Sequence, residues 1–303
     1  MSEEGAERAE RTAARIASLA RPLLIALDVD GTLAPIVDDP AAAQVPAATA
    51  RTLERLDALP DVQVALVTGR DATQLAAMID GARYWRVVEH GRRLLAPHEA
   101  PAEVTLTAAK RAGLDAFRAR AEREWAPAGA RIEEKARAVG VHVRELATSS
   151  PVEAKRVLSE AAAVARELGL APRAGRAVCE VELPAVGATG DAVGATGGAD
   201  GPGDKGEALA RLIARLGVRG VVYAGDDVTD LPALEVAAGR GVALFVRSPE
   251  REAPTGLAGS AVDGPGALAA VLGALATRLD ACRAAPGSPA ADGGPPGATR
   301  GSE

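Results

Sequence analysis

Two aspartates stand one residue apart directly after an apolar run. Asp28 and Asp30 follow five apolar residues in the stretch LLIALDVDGTL, which begins at residue 23. Two carboxylates this close repel each other, and the repulsion raises the pKa of one of them unless a cation lies between them. Mg²⁺ prefers oxygen ligands and keeps several waters, so carboxylates and a phosphate oxygen can complete its coordination. The pair therefore predicts a cation or a phosphate at the end of a buried strand.

A second acidic cluster follows another apolar run late in the chain. Asp226, Asp227 and Asp230 lie in the stretch AGDDVTD. If the two apolar runs form neighbouring strands, both clusters can share one metal ion. The same stretch could instead begin a helix, with Thr229 or Asp230 as its N-terminal cap. The sequence leaves open whether Asp227 or Asp230 would contact the metal directly or through water.

A hydroxyl and a lysine complete this set of chemical groups. Thr68 follows the apolar run VALV and precedes Gly69 and Arg70, and Lys205 opens a helical pattern after a glycine-rich stretch. The ammonium group and the helix N-terminus would together neutralise a bound anion. Each residue alone has a simpler explanation in a turn or on the surface. Together they describe a phosphoryl-transfer site with a carboxylate nucleophile, a metal, a hydroxyl and a lysine.

The elements that must position these residues alternate between strand and helix. Apolar runs predict strands at 22–28, 62–69, 85–91, 220–226 and 241–246, and periodic patterns predict helices at 47–59, 205–217 and 229–239. Such runs suit strands that are buried on both faces of a parallel sheet. Repeated strand–helix units imply a doubly wound α/β fold, whose ligands bind at the carboxyl ends of the strands. The candidate residues fall at those ends.

The middle of the chain has a different pattern. A long helix is predicted at 104–126, an alternating strand at 135–146, a helix at 150–170 and another alternating strand at 176–184. Helices packed on an antiparallel sheet would form a small α+β module inserted into the parallel-sheet domain. We therefore predict the domain organisation from these boundaries: an N-terminal helix at 1–20, a core domain at 21–102 and 204–283, a cap at 103–184, a glycine-rich linker at 185–203 and a low-complexity tail at 284–303.

Composition excludes several classes of protein. The 303 residues are 48% apolar and 25% charged, with a net charge of −6, and no basic stripe suggests a nucleic-acid partner. Apolar runs are short and residues 1–20 are charged throughout, so we expect neither a signal peptide nor a membrane partner. Two cysteines, Cys179 and Cys282, suggest no disulfide framework and favour a reducing cytoplasm.

The order of the four motifs resembles a known superfamily. DVDGTL, VTGR, a lysine and GDDVTD are similar to the motif set of haloacid-dehalogenase-like phosphatases. The resemblance implies that Asp28 is the nucleophile and forms an aspartyl-phosphate, while Asp30 is the general acid and then the base. It also implies that Thr68 and Lys205 hold the phosphoryl group. Mg²⁺ would be held by residues of the two acidic clusters, for which we take Asp28, Asp30 (through its carbonyl), Asp226 and Asp227.

The predicted cap resembles one family within that superfamily. The stretch IEEKARAVGVHVREL is similar to the E-x-K and H-x-R motifs of the trehalose-phosphatase family, and EHG at 89–91 and CEVELP also fit it. His-Val-Arg replaces the family's usual His-Tyr-Arg, and Thr-Asp-Leu replaces its usual Thr-Asp-Glu. The resemblance implies a set of substrate-binding residues: Gly69, Arg70, Glu89, His90, Gly91, Glu133, Lys135, His142, Arg144 and Glu180.

These observations favour Mg²⁺-dependent hydrolysis of trehalose 6-phosphate by a cytoplasmic monomer with a functional link to a trehalose-phosphate synthase. Two alternatives stay open. One is a capped phosphatase for another sugar phosphate, such as sucrose phosphate or mannosyl-glycerate phosphate. The other is a catalytically silent sugar-phosphate-binding module, which we would expect to lack one of the acidic motifs. Phosphate release from a panel of sugar phosphates separates the three hypotheses.

Overall fold

A computed structural model describes residues 2–37, 39–101, 106–135, 137–175, 177–184, 204–248, 251–256 and 259–284. The predicted linker at 185–203 lies outside these residues, and so does the predicted tail at 284–303 apart from Ala284.

The described residues contain a seven-stranded sheet that is parallel except at one edge. Strand β4 is antiparallel to β3, and the other neighbours run parallel. The spatial order is β11 (Ser260–Asp263), β10 (Gly241–Arg247), β9 (Gly220–Gly225), β1 (Leu23–Asp28), β2 (Val62–Val67), β3 (Trp85–Val88) and β4 (Arg93–Leu95).

The central strand β1 is buried on both faces, as its continuous apolar run predicts. Leu23, Ile25 and Leu27 pack into one hydrophobic cluster, whereas Leu24 and Ala26 pack into the cluster on the opposite face. This division follows from the two-residue period of a strand. Because β9 and β2 are the neighbours of β1, the three loops that follow these strands meet at one edge of the sheet.

Helices cover both faces of this sheet, and the predicted doubly wound α/β fold is confirmed. One hydrophobic cluster contains residues from α1 (Glu3–Ala17), α2 (Ala47–Asp57), α3 (Ala72–Met78) and α9 (Gly264–Ala284). The other contains residues from α7 (Lys205–Leu216) and α8 (Leu231–Ala238). Within the described part of the chain, Gly264–Arg283 is long and apolar enough to cross a membrane by length and composition. In this fold its Leu268, Leu272 and Leu275 are buried in the core.

A second, antiparallel sheet forms the predicted α+β cap. Its order is β5 (Arg131–Glu134), β6 (Ala138–His142), β8 (Val178–Glu182) and β7 (Ala171–Gly175). Three helices accompany it in the chain: α4 (Ala108–Glu124), α5 (Arg144–Ser149) and α6 (Pro151–Glu167). The cap has its own hydrophobic cluster, which includes Phe117, Trp125, Val141 and Val157.

Several predicted element boundaries are wrong, and most errors lie at turns. The predicted strand at 135–146 ends at His142, and α5 begins two residues later. The predicted strand at 85–91 ends at Val88, because Glu89, His90 and Gly91 all take positive φ angles and form a tight turn. The short elements α3, α5, β4, β5, β7 and β11 were not predicted, because runs of three to seven residues carry too little periodicity.

Candidate active site

The two acidic clusters meet at the carboxyl edge of the core sheet. Asp28 ends β1, and Asp226 and Asp230 follow β9, its neighbour. One carboxylate oxygen from each of the three residues lies within 4.8 Å of the other two. All three side chains are buried. The sheet order therefore brings together carboxylates that are about two hundred residues apart in the sequence, as the neighbouring-strand hypothesis predicted.

Lys205 neutralises part of this buried negative charge. Its Nζ donates to Asp28 Oδ1 and to Asp230 Oδ1, both at 2.7 Å. Asp230 also accepts from the Tyr223 hydroxyl at 2.6 Å and from the Asp227 backbone N–H at 3.0 Å. Asp230 thus accepts two hydrogen bonds at Oδ1 and one at Oδ2, and it orients Lys205. The assignment of Asp28 and Asp226 as metal ligands stays a prediction.

The electrostatics of the cluster fit a divalent cation. Burial and the neighbouring Asp230 carboxylate raise the pKa of Asp28 well above its usual value, although Lys205 opposes the shift. Burial and Asp230 also raise the pKa of Asp226 to about 6. Lys205 is held protonated, because Asp230 and Asp28 raise its pKa more than burial lowers it. One lysine does not balance three carboxylates, and hard oxygen ligands suit a hard cation such as Mg²⁺.

Asp30 and Thr68 lie on the loops that follow β1 and β2. Arg70 binds the Asp30 carboxylate with two hydrogen bonds, from Nε at 2.8 Å and from a terminal nitrogen at 2.6 Å. The Asp30 side chain is 41% exposed, whereas that of Arg70 is 14% exposed. The buried Thr68 hydroxyl accepts from the Arg70 backbone N–H at 3.1 Å. The arginine thus ties the predicted acid to the predicted phosphate-binding loop.

Asp227 has a different environment from its neighbour Asp226. Its carboxylate forms an ion pair with Arg251 and accepts from the Val228 backbone N–H at 2.6 Å. Arg251 also donates to the Asp226 carbonyl at 3.4 Å. The two residues whose carboxylate oxygens cluster with that of Asp28 are Asp226 and Asp230, and Asp227 is not part of this cluster. The assignment of Asp227 as a metal ligand stays a prediction.

The cap contributes a row of polar side chains on the other side of the cleft. Glu133 Oε2 lies 2.7 Å from His142 Nε2, and this hydrogen bond is the main reason that the pKa of Glu133 falls to about 2. Lys135 Nζ donates to Glu180 Oε1 at 2.6 Å, while His90 of the core lies 2.9 Å from Glu180 Oε2. Both partners lower the pKa of Glu180 against the opposing effect of burial.

A cleft of about 240 Å³ lies between the two sets of residues. Three predicted residues do not line it: Thr68 is buried behind its wall, Glu89 faces a smaller neighbouring cavity and forms an ion pair with Arg93, and Gly91 is buried. The predicted residues that line it are Asp28, Asp30, Gly69, Arg70, His90, Glu133, Lys135, His142, Arg144, Glu180, Lys205, Asp226 and Asp227.

Two glycines allow the loops to come this close. Gly31 has φ +82°, and a Cβ there would lie 2.3 Å from Asp226 Oδ2. Gly91 has φ +98°, and a Cβ there would lie 2.4 Å from the carbonyl oxygen of Asp204, the residue before α7. Neither the φ angle nor the space admits another residue without strain. Gly91 therefore serves the packing of the Lys205 helix, which explains its place in the EHG turn.

Sequence reasoning missed several residues of the site. Gln74, Arg173 and Arg251 line the cleft, and Tyr223 supports Asp230 from the interior. Gln74 had a detectable signal, because Asp71 and Gln74 form a capping box, the pattern that marks a helix start. Arg251 and Arg173 carry no such signal, since arginine is abundant in this chain.

A parallel sheet of this order, an antiparallel cap and a buried acidic cluster at the carboxyl edge define a haloacid-dehalogenase-like fold. A solved structure with the same fold is the C-terminal domain of C. albicans trehalose-6-phosphate phosphatase, with a TM-score of 0.64 and 21% identity; the match covers 90% of this chain and 96% of that one. The model of the trehalose-phosphatase family matches residues 26–195, more than half of the sequence. The chain belongs to the trehalose-phosphatase family.

Curated relatives are longer than this chain. A trehalose-phosphate phosphatase of Mycobacterium marinum is 30% identical over 258 residues, which cover 83% of this chain and 61% of the relative. An uncharacterized glycosyl hydrolase of Mycobacterium tuberculosis is 34% identical over 237 residues, which cover 74% of this chain and 16% of the relative. The chain therefore spans less than two thirds of the length of either relative.

Proposed function

We propose that this chain hydrolyses trehalose 6-phosphate to trehalose and inorganic phosphate. The observation that carries the proposal is the buried Lys205 between Asp28 and Asp230, opposite the cap residues Glu133 and His142 across one cleft. Family membership and the name of the M. marinum relative support the choice of substrate.

In the proposed first step, a carboxylate oxygen of Asp28 attacks the phosphorus and the bond to the sugar oxygen breaks. Asp30, in its protonated form, gives its proton to the leaving sugar oxygen, which departs as a hydroxyl. Because Arg70 binds Asp30 with two hydrogen bonds, the leaving oxygen has to displace at least one of them. Asp30 then accepts a proton from the water that attacks the aspartyl-phosphate, which releases phosphate and restores Asp28.

Lys205, which lines the cleft, would hold the phosphoryl group during both steps. The family resemblance assigns the same role to Thr68, whose hydroxyl does not line the cleft in this arrangement and would have to be reached by the phosphate. Lys205 stays charged in its buried site and can stabilise the negative charge of the transition state. A divalent cation, for which we propose Mg²⁺, would be held by Asp28 and Asp226 with the Asp30 carbonyl. Such a cation supplies charge neutralisation and keeps Asp28 ionised.

The cap would recognise the sugar. Glu133 and Glu180 offer acceptors for sugar hydroxyls, and Lys135 and Arg144 offer donors. Arg144 reaches the core, where it donates to the Val37 carbonyl at 2.9 Å, so the cap side of the cleft is held near the phosphate end. We further propose that the protein acts in the cytoplasm and that a synthase of trehalose phosphate supplies its substrate.

A substrate panel tests the function. Phosphate release is measured with trehalose 6-phosphate, sucrose 6-phosphate and glucose 6-phosphate in the presence of Mg²⁺. We expect a strong preference for the first, loss of activity with EDTA, and no turnover by Asp28→Asn. Release from another sugar phosphate would keep the chemistry and reject the substrate, whereas full turnover by Asp28→Asn would reject the mechanism.

A further inference from the structure

Gln74 is one of the core side chains that reach the cap and belong to none of the four motifs; His90 and Arg92 are others. Gln74 lies in the first turn of α3, the helix that follows the Thr68–Arg70 loop. Its Nε2 donates to Glu133 Oε1 at 2.8 Å, across the cleft between the core and the cap. The other oxygen of Glu133 faces His142. Glu133 is thus oriented by one partner in the core, Gln74, and by one partner in the cap, His142.

A glutamine at position 74 can make a hydrogen bond that a glutamate there could not donate. The Gln74 backbone N–H donates to Asp71 Oδ1 at 2.8 Å, and Gln74 Oε1 accepts from the Asp71 backbone N–H at 3.2 Å. Either glutamate or glutamine completes such a capping box. A glutamate would also favour the helix N-terminus electrostatically. Only glutamine keeps a donor on its second atom, and that donor faces the Glu133 carboxylate.

The hydrogen bond at Gln74 Oε1 determines the direction in which the Nε2 group of the same amide points. Because Asp71 holds Oε1, the Nε2 group cannot rotate away from the cleft without breaking the capping box. The hydrogen bond to Glu133 therefore requires β5 of the cap to lie against α3 of the core. It also orients Glu133, which lines the cleft.

We propose that Gln74 is a positioning residue that joins the core to the cap in the closed arrangement and orients Glu133 toward the sugar. This inference rests on the proposed function in one respect, since it takes the sugar to be the ligand of Glu133. It makes recognition of the sugar depend on closure of the cap, whereas the phosphoryl-transfer groups beneath are complete without Gln74.

The test uses Gln74→Glu, which retains the capping box but places a second carboxylate against Glu133. We expect KM for trehalose 6-phosphate to rise about tenfold, the size of one lost charge-assisted hydrogen bond. The kcat for p-nitrophenyl phosphate, which has no sugar, should stay within about twofold. The control is Gln44→Ala, because Gln44 donates to the Ala77 carbonyl near the other end of α3, and among the described residues no hydrogen bond joins it to the cap.

Two kinetic results would overturn the inference: an unchanged KM in Gln74→Glu, or an equal loss of activity with both substrates, which would indicate damage to α3. Small-angle X-ray scattering gives a readout that does not need turnover. A larger radius of gyration in Gln74→Glu than in the wild-type protein and Gln44→Ala supports the inference, and equal radii reject it. If the wild-type protein releases no phosphate from trehalose 6-phosphate, the proposed function fails and the scattering result alone decides the role of Gln74.

Discussion

At the scale of single residues, the site depends on buried charges that stabilise one another. Lys205, Asp28 and Asp230 are each at least 95% buried, and each would be costly alone. Asp230 accepts hydrogen bonds from Lys205, Tyr223 and a backbone N–H, so it is held in place as a counter-charge for the lysine. Asp28 keeps the other contact to Lys205 and is the carboxylate that faces the cleft.

We expect Asp230→Ala to lower the free energy of unfolding by about 1–3 kcal/mol, because it removes one of the two acceptors of Lys205 and the acceptor of the buried Tyr223 hydroxyl. Urea denaturation measures the change. Asp280→Ala is the matched control, since Asp280 pairs with Arg55 at the surface and should matter by about 1 kcal/mol or less. Equal costs for the two variants would contradict the role assigned to Asp230.

We expect Asp30→Asn to reduce kcat for the sugar phosphate by about 10²–10⁴-fold, the usual contribution of acid–base help. With p-nitrophenyl phosphate the first step should be less affected, because nitrophenolate leaves without a proton. The second step still needs a base, so a rapid burst of nitrophenolate followed by slow turnover is expected. Equal loss in both phases would argue that Asp30 acts only through its contact with Arg70.

At the scale of elements, the site is built by turns at the carboxyl edge. The turn after β3 brings Gly91 against the residue before α7, and α7 begins with Lys205. The capping box of α3 fixes the start of another helix beside the loop of Thr68 and Arg70. The turn at Glu89–Gly91 and the cap at Asp71 thus determine where α7 and α3 place their first residues.

We expect Gly91→Ala to be more destabilising than Gly217→Ala. Both glycines have positive φ, which costs about 1–2 kcal/mol for a residue with a Cβ. At Gly217 nothing lies within 4 Å of the added atom, whereas at Gly91 the Asp204 carbonyl lies at 2.4 Å. The contact should add about 1–3 kcal/mol and should raise KM by displacing the start of α7. Thermal unfolding and steady-state kinetics check both effects.

At the scale of the whole molecule, the cleft exists because two sheets with separate cores face each other. Core side chains that reach the cap include Arg92, which binds Glu182 at 2.5 Å, and His90, which lies against Glu180. The core provides the acidic cluster and the cap provides the groups proposed for the sugar. A phosphate that is attached to a sugar can therefore contact both sheets at once.

We expect Mg²⁺ to stabilise the folded protein, because it should bind the acidic cluster only when the sheet is formed. At about 100 times its Kd, a bound ligand adds about 2.7 kcal/mol to the free energy of unfolding. Differential scanning calorimetry with Mg²⁺ and with EDTA measures the shift in Tm. The shift should disappear in Asp226→Asn and persist in Asp263→Asn, whose carboxylate lies at the exposed end of β11. An equal shift in both variants would place the cation elsewhere.

The long elements and the four motifs could be predicted from the sequence. The strand β1 and the acidic residues at the ends of β1 and β9 could be predicted, because strands that are buried on both faces stay apolar until they end. The family prediction is confirmed by the match of the trehalose-phosphatase family model to residues 26–195. The residue roles within the cleft stay predictions, and the experiments above address them.

The sequence by itself determined the fold class, the family and the chemical groups, because these depend on local patterns: periodicity, turn residues and motif spacing. Only the tertiary structure decided which groups touch. The pairing of Gln74 with Glu133, the contact of Tyr223 with Asp230 and the ion pair of Arg251 with Asp227 join residues from separate elements or from the two ends of a loop. Such contacts depend on sheet order and on side-chain direction within a fraction of an ångström, and no periodic signal records either of them.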